Sequence, residues 1–282
     1  MLTTHQKNWK VDQWVAYLKV RDIPIMPRSR FLILAIAEGG DALSSPKELA
    51  RIVTGDPFLA LRSLRYAEAR RSRRLGSDTT TSMASLMQIG LDGLLDIARD
   101  SPLCDDALVG LVDCEFASAS ASYIARAWSA HRADVSPDEI ALAALLADIG
   151  EMMLWHFATE IPERVQDEAR SGRALSQLQA QLQGAGFSFK ALSLALAEAW
   201  GLPPLITQLI RGVDSVRANI ARLASATAKH IQTNPENPAL PSDIISVRDF
   251  VPASSYRSLL APLPISDEFR EAVLKAVTTE VE

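Results

Sequence analysis

Residues Ile140 to Phe157 read IALAALLADIGEMMLWHF, the longest strongly apolar run in the chain. It carries one buried-looking acid, Asp148, followed by Ile149 and Gly150, with a second acid, Glu151, next. An ionised carboxylate in such surroundings is costly unless it is paired or holds a ligand. The run is therefore either part of a metal-binding helix pair or the remnant of one. Asp148 also has an ordinary reading, as a helix cap accepting from the backbone N–H groups of Gly150 and Glu151. Gly150 is expected to kink or separate the two halves of the run.

Outward from this run the pattern is helical in both directions. Ser136-Pro137-Asp138-Glu139 places a capping box, with proline at the first helical position, just before it. A long helix over about 105–131 precedes that. Further upstream, Trp9, Val11, Trp14, Val15 and Leu18 fall at helical spacing. The prolines of Arg21–Pro27 (RDIPIMP) break that first helix. A compact helix over 31–38 stops at Gly39-Gly40, and Ser45-Pro46-Lys47-Glu48 forms a second capping box. Asp56 is the expected N-cap of the next helix, with Phe58, Leu61 and Leu64 inward. A polar Arg-rich loop covers 70–81, and Gly90 stops the helix after it. Downstream, after Glu160-Ile161-Pro162, come helices near Val165, over 175–182 and over 187–200. Gly201-Leu202-Pro203-Pro204 ends the last of these. Short helices fill the remainder, interrupted by NPENPALP. No segment alternates with period two, so the fold class is all-α.

Composition agrees. The chain has 282 residues, 48% hydrophobic and only 6% aromatic, with a net charge of −5. That balance favours helices over a β-sandwich and carries no basic footprint for nucleic acid or anionic membrane. Cys104 and Cys114 are the two cysteines and make no disulfide framework, which fits a reducing compartment. The N-terminus lacks a basic n-region and an apolar h-region, so no signal peptide is expected. No membrane span is expected either, and the expected location is cytoplasmic.

Few residues suggest chemistry. A helical metallophosphohydrolase needs several His and Asp ligands converging on a metal that activates water. The four histidines are His5, His131, His156 and His230, and none is followed by Asp. There is no GxSxG, GxxxxGK[ST] or GxGxxG. The single glycines fit helix ends. Arg62, Arg65, Arg70, Arg71, Arg73 and Arg74 could hold phosphates, although a solvated face is the commoner fate of such a cluster.

The order of the elements carries more. Ile23-Pro24-Ile25-Met26-Pro27, the Asp56-Pro57 helix with Leu64 and Ala67, the stop at Ile89-Gly90-Leu91, Leu145-Leu146-Ala147-Asp148-Ile149-Gly150, and Ala199-Trp200-Gly201-Leu202-Pro203 occur in sequence. Together, over about residues 21–213, they resemble the HDOD family, helical relatives of the HD metal-dependent phosphohydrolases in bacterial signalling proteins. The resemblance implies an N-terminal helical subdomain (21–103) packed on an HD-like helical bundle (104–213). Residues 1–20 would then be an N-terminal amphipathic helix and 214–282 a helical C-terminal extension. That extension either closes the bundle or carries partner specificity.

The departures from the family matter as much. Where members often have a His-Asp pair, the first position is Ala147. A histidine common after a Gly-Phe segment is replaced within Gly186-Phe187-Ser188-Phe189. The histidines common after the WGLP helix are replaced around Ile210-Arg211-Gly212-Val213, and the usual Asn-Ser after the Asp-Pro helix is Ala67-Glu68. Asp148 alone cannot hold a divalent ion against water, so it is a vestigial-site residue. Ala147, Phe189 and the apolar run suggest that the former metal pocket is filled.

The expectation is thus a non-catalytic signal-transduction or regulatory module, with no catalytic residue, metal or cofactor. Its partner would be another signalling protein, with a homodimer as a further possibility and neither nucleic acid nor membrane involved. The first alternative is a binding module for a small anionic signal such as a nucleotide second messenger, using Arg62, Arg65 or Arg211. The second is a residual phosphohydrolase built on His131, His156 and Asp148.

Overall fold

The computed structural model describes residues 2–38, 45–70, 79–213 and 215–279. In chain order the helices are α1 (Val11–Leu18), α2 (Pro27–Glu38), α3 (Pro46–Thr54), α4 (Pro57–Arg70), α5 (Ser82–Asp100), α6 (Val109–Ser129), α7 (Pro137–Leu146) and α8 (Ile149–Phe157). There follow α9 (Glu160–Arg170), α10 (Gln177–Gly184), α11 (Phe189–Ala199), α12 (Pro204–Arg211), α13 (Val216–Thr233), α14 (Leu240–Arg248), α15 (Tyr256–Leu260) and α16 (Asp267–Thr279). Among the described residues there is no strand, only an isolated parallel bridge between Ile25 and Leu103. The protein is all-α. The expected stop at Gly39-Gly40 and the arginines Arg71, Arg73 and Arg74 lie outside the described residues.

The helices divide into two compact units, 1–115 with 146–203 and 116–145 with 204–282. In the first, α4 packs on α5, with α3 and α2 also against α5. The Ser45–Glu48 capping box forms as the sequence predicts, each side chain bonding the other residue's backbone N–H. Asp56 caps α4, its Oδ1 accepting from the N–H groups of Phe58 and Leu59 at 3.0 Å each. Gly90, at φ 68° and ψ −178°, interrupts α5. That left-handed backbone is open to glycine and costly for residues with a Cβ.

The remainder of this unit is built on α8, which packs against α9 and α11, with α1 also on α11. Trp14 and Leu18 of α1 are fully buried, as an amphipathic helix requires. The helix around Val165 starts at Glu160 and so includes Pro162. The proline lies in the first turn of α9, where a missing N–H removes no intrahelical bond.

The second unit has a core of its own. Trp128, Ile140, Ile220, Ile244, Leu259 and Leu260 are all fully buried there. The Trp128 indole N–H donates to the Leu259 carbonyl at 2.8 Å, giving the ring's polar atom a partner in an otherwise dry core. Residues 215–279 therefore supply much of a hydrophobic core.

The long apolar stretch is corrected in one respect. Pro137–Phe157 is long and apolar enough to cross a membrane by length and composition, and 72% of its most apolar window is buried. The helix breaks at Ala147-Asp148, between α7 and α8, and not at Gly150. Gly150 lies inside α8 for a different reason. A Cβ there would stand 2.6 Å from the backbone nitrogen of Ser193 on α11, closer than atoms can pack. Gly110 and Gly184 are likewise close-approach positions, against Trp155 and Val165. Of the three, Gly184 does close a helix, α10, and Gly110 stands in the first turn of α6.

Candidate functional site

The family's metal position can be rebuilt from its residues. Asp148 occupies the N-cap position of α8, yet its side chain makes no capping hydrogen bond. The N–H of Gly150, its expected donor, goes instead to the Ser193 hydroxyl at 3.0 Å. Asp148 and Ala147 are both partly exposed, so Asp148 is not the buried acid its surroundings in sequence suggest. Phe187 and Phe189, where an imidazole would be expected, are buried, with ring centres 6.2 Å apart. Neither ring offers a nitrogen donor. Among the described residues no group of three or more His, Cys, Asp or Glu side chains could hold a metal ion. Of the residues named for a residual hydrolase, Asp148 and His156 belong to the first unit and His131 to the second; the residues present at the family's metal position do not fit its metal.

The histidines have other surroundings. His5 and His131 are exposed. His230 shares a 2.7 Å contact between its Nδ1 and Asp243 Oδ2. His156 is half-buried with an unpartnered Nδ1, and burial holds its pKa below the usual imidazole value.

The ordered motifs prove to be joints. Asp56 is fully buried and its Oδ2 accepts from the N–H of Met26 at 2.9 Å, tying the IPIMP segment to the Asp-Pro helix. Burial raises its carboxyl pKa, while bonds from Leu59, Met26, Ser29 and Phe58 oppose the rise. Ile25 bonds on both sides, from its N–H to the Pro102 carbonyl and from the Cys104 N–H to its own carbonyl. Nearby, buried Glu115 pairs with Arg28, which also donates to the Gly55 carbonyl at 2.7 Å. Burial pushes the Glu115 carboxyl up to about 7, with Arg28 opposing and Asp56 adding to the rise. The Cys104 thiol is raised too, by burial first and then by Asp56, Glu115 and Asp106. Nothing in the local sequence marks Glu115, because its partners come from other helices.

The arginines divide. Arg62 and Arg65, one turn apart on α4, line a cavity of about 550 Å³ in the first unit. The α1–α2 connection forms one wall, through Asp22 and Ile23, and α5 another, through Asp96 and Asp100. Arg62 donates to the Ile23 carbonyl. Arg65 lies over the Trp200 ring, 5.6 Å from its centre, and the Trp200 indole N–H reaches the Lys19 carbonyl at 3.3 Å. Trp200, from the AWGLP motif, does not line the cavity itself but stands against Arg65, a contact that its motif role did not announce. Arg211 is exposed at the end of α12 and does not line the cavity.

The HDOD domain family matches residues 23–216, and the chain belongs to it. No curated protein matches the chain. Among solved structures it is similar to the MmoQ response regulator of Methylococcus capsulatus, at 19% identity and a TM-score of 0.62, over 91% of this chain and 99% of that one. A virulence factor of Campylobacter jejuni is 15% identical with a TM-score of 0.69, over 93% and 99%. An HDOD protein of unknown function from Geobacter sulfurreducens is 17% identical with a TM-score of 0.47, over 94% and 98%.

Proposed function

We propose that this HDOD protein is a non-catalytic regulatory module that works in the cytoplasm by binding another signalling protein. The observation that carries the reading is an exposed leucine stripe at α10. Leu178 and Leu182, one turn apart, are 55% and 52% exposed, and Leu175, just before the helix, is 91% exposed. On its other side α10 buries Ala180 and Gly184 against α9. Gln177, Gln179, Gln181 and Gln183 surround the leucines, so the stripe carries no charge. Exposed apolar patches of this kind mark interaction surfaces, and this one fits an uncharged amphipathic helix of a partner. The loss of imidazole positions supports the non-catalytic half of the reading. The fold likeness to a protein named as a response regulator is in keeping with a regulatory role.

The test compares the wild type with a Leu178→Ser/Leu182→Ser variant. Proteins cross-linked in cells, circular dichroism and light scattering are read for both. A partner held by the wild type and lost from an equally helical variant supports the reading. Identical partners from both would refute it. A wild-type dimer that the variant dissolves would replace the partner with a second copy. Turnover of phosphodiesters with added divalent metal would overturn the non-catalytic reading.

A further inference from the structure

The cavity beside α4 is not used by this reading, and its wall is unusual. Arg65 is half-buried, and among the described residues it forms neither a hydrogen bond nor an ion pair; its contact is the Trp200 ring. A guanidinium carries five donors and is costly to withdraw from water without an acceptor. Arg62 stands one turn away, also half-buried, with one bond to a backbone carbonyl. Burial and the charge of Arg62 both hold the Arg65 pKa below its ordinary value, so two cations crowd one wall. Asp22 and Asp100 act on Arg62, but as exposed residues at the rim.

We propose that this cavity binds a small phosphorylated molecule of about nucleoside monophosphate size, its phosphoryl group held by Arg62 and Arg65. The lining holds four cations, the exposed Lys19 and Arg21 and the half-buried Arg62 and Arg65, against the exposed acids Asp22, Asp96 and Asp100; the two half-buried guanidiniums suit the two charges of a phosphate monoester better than the one of a carboxylate. The planar forks suit its oxygens, and the ring behind Arg65 restricts the fork's motion. The polar remainder of the ligand meets Asp96 and Asp100, one turn apart and exposed on α5, with Asp100 within electrostatic reach of Arg62. Carboxylates there accept from hydroxyl or amino groups and repel a second phosphate. A nucleic-acid strand, with a charge at each step, is disfavoured by the same residues. The volume suits one small ligand.

The test titrates the full-length protein calorimetrically with AMP, inorganic phosphate and adenosine. AMP is expected to bind once per chain, phosphate more weakly, and adenosine not measurably. Arg65→Gln is expected to weaken AMP at least about tenfold while leaving the melting temperature near that of the wild type, since Arg65 makes no hydrogen bond that folding needs. Three results would overturn the proposal: no binding of AMP or phosphate up to about 10 mM, unchanged AMP affinity in R65Q, or equal binding of adenosine and AMP. Should R65Q melt early, Arg65→Lys replaces it, keeping the charge and losing the fork. Weakened AMP binding by a stable R65K supports the site, and unweakened binding refutes it.

Discussion

The backbone N–H of Gly150 donates to the hydroxyl of Ser193 at 3.0 Å, and α8 and α11 meet there with no room for a methyl group. Both residues are buried. Gly150→Ala must push the helices apart, at a cost of about 1–3 kcal/mol for an overpacked core. Ser193→Ala leaves a buried N–H without a partner, costing about 1–3 kcal/mol. Urea unfolding of both variants checks this; a neutral Gly150→Ala would mean that the helices can yield.

Gly90 should respond differently. Nothing lies within 4 Å of a Cβ built there, but its φ of 68° is left-handed. Gly90→Ala is expected to cost about 1–2 kcal/mol through the backbone alone. Gly90→Asn should cost about as much, since with ψ at −178° this backbone lies outside the αL region that asparagine tolerates. Melting temperatures of the two variants check this; a clearly milder Gly90→Asn would mean that the backbone relaxes into αL.

Glu115 gives the pH dependence a sign. Its carboxyl lies near 7 in the folded chain against 4.5 unperturbed. The folded state therefore binds more protons than the unfolded state between those values, and stability falls as pH rises through that window. Asp56, raised as well, acts in the same direction. His156, held low, acts oppositely and costs stability as pH falls below 6.5. Unfolding free energies across the window should decline more steeply in the wild type than in Glu115→Gln. Equal slopes would remove Glu115 from the account.

Trp128 is the test of the second unit's core. Trp128→Phe removes the donor to the Leu259 carbonyl and should cost about 1–3 kcal/mol. Trp128→Ala opens a cavity as well, at about 3–5 kcal/mol. Hydrogen exchange should show the loss first in α13, α14 and α15, which share that core. Loss spread evenly over all helices would show the two units unfolding as one.

Metal should be dispensable. With no clustered ligand set among the described residues, chelation is expected to leave the melting temperature unchanged. Elemental mass spectrometry is expected to find less than one transition-metal ion per chain. A stoichiometric ion would reveal a site assembled in some other way.

Much of the fold was legible along the chain because its causes are local. The Ser45–Glu48 capping box, N-cap Asp56, the Gly90 stop and the apolar periodicity are settled within a few residues of each position. The family, too, rests on ordered local motifs, and the loss of imidazole at Ala147 needs no coordinates. Long-range contacts were not legible. Gly150 looked like a kink because nothing in its neighbours announces Ser193, 43 residues on. Asp148 looked buried because hydrophobic neighbours in sequence do not dictate which side of a helix break faces water. Glu115, Trp200 and the pairing of Arg62 with Arg65 without Arg211 also arise only when separate helices meet. Composition and periodicity determined what each segment would become. Packing decided which side chains are desolvated and by whom, and desolvation is what turns a residue into a site.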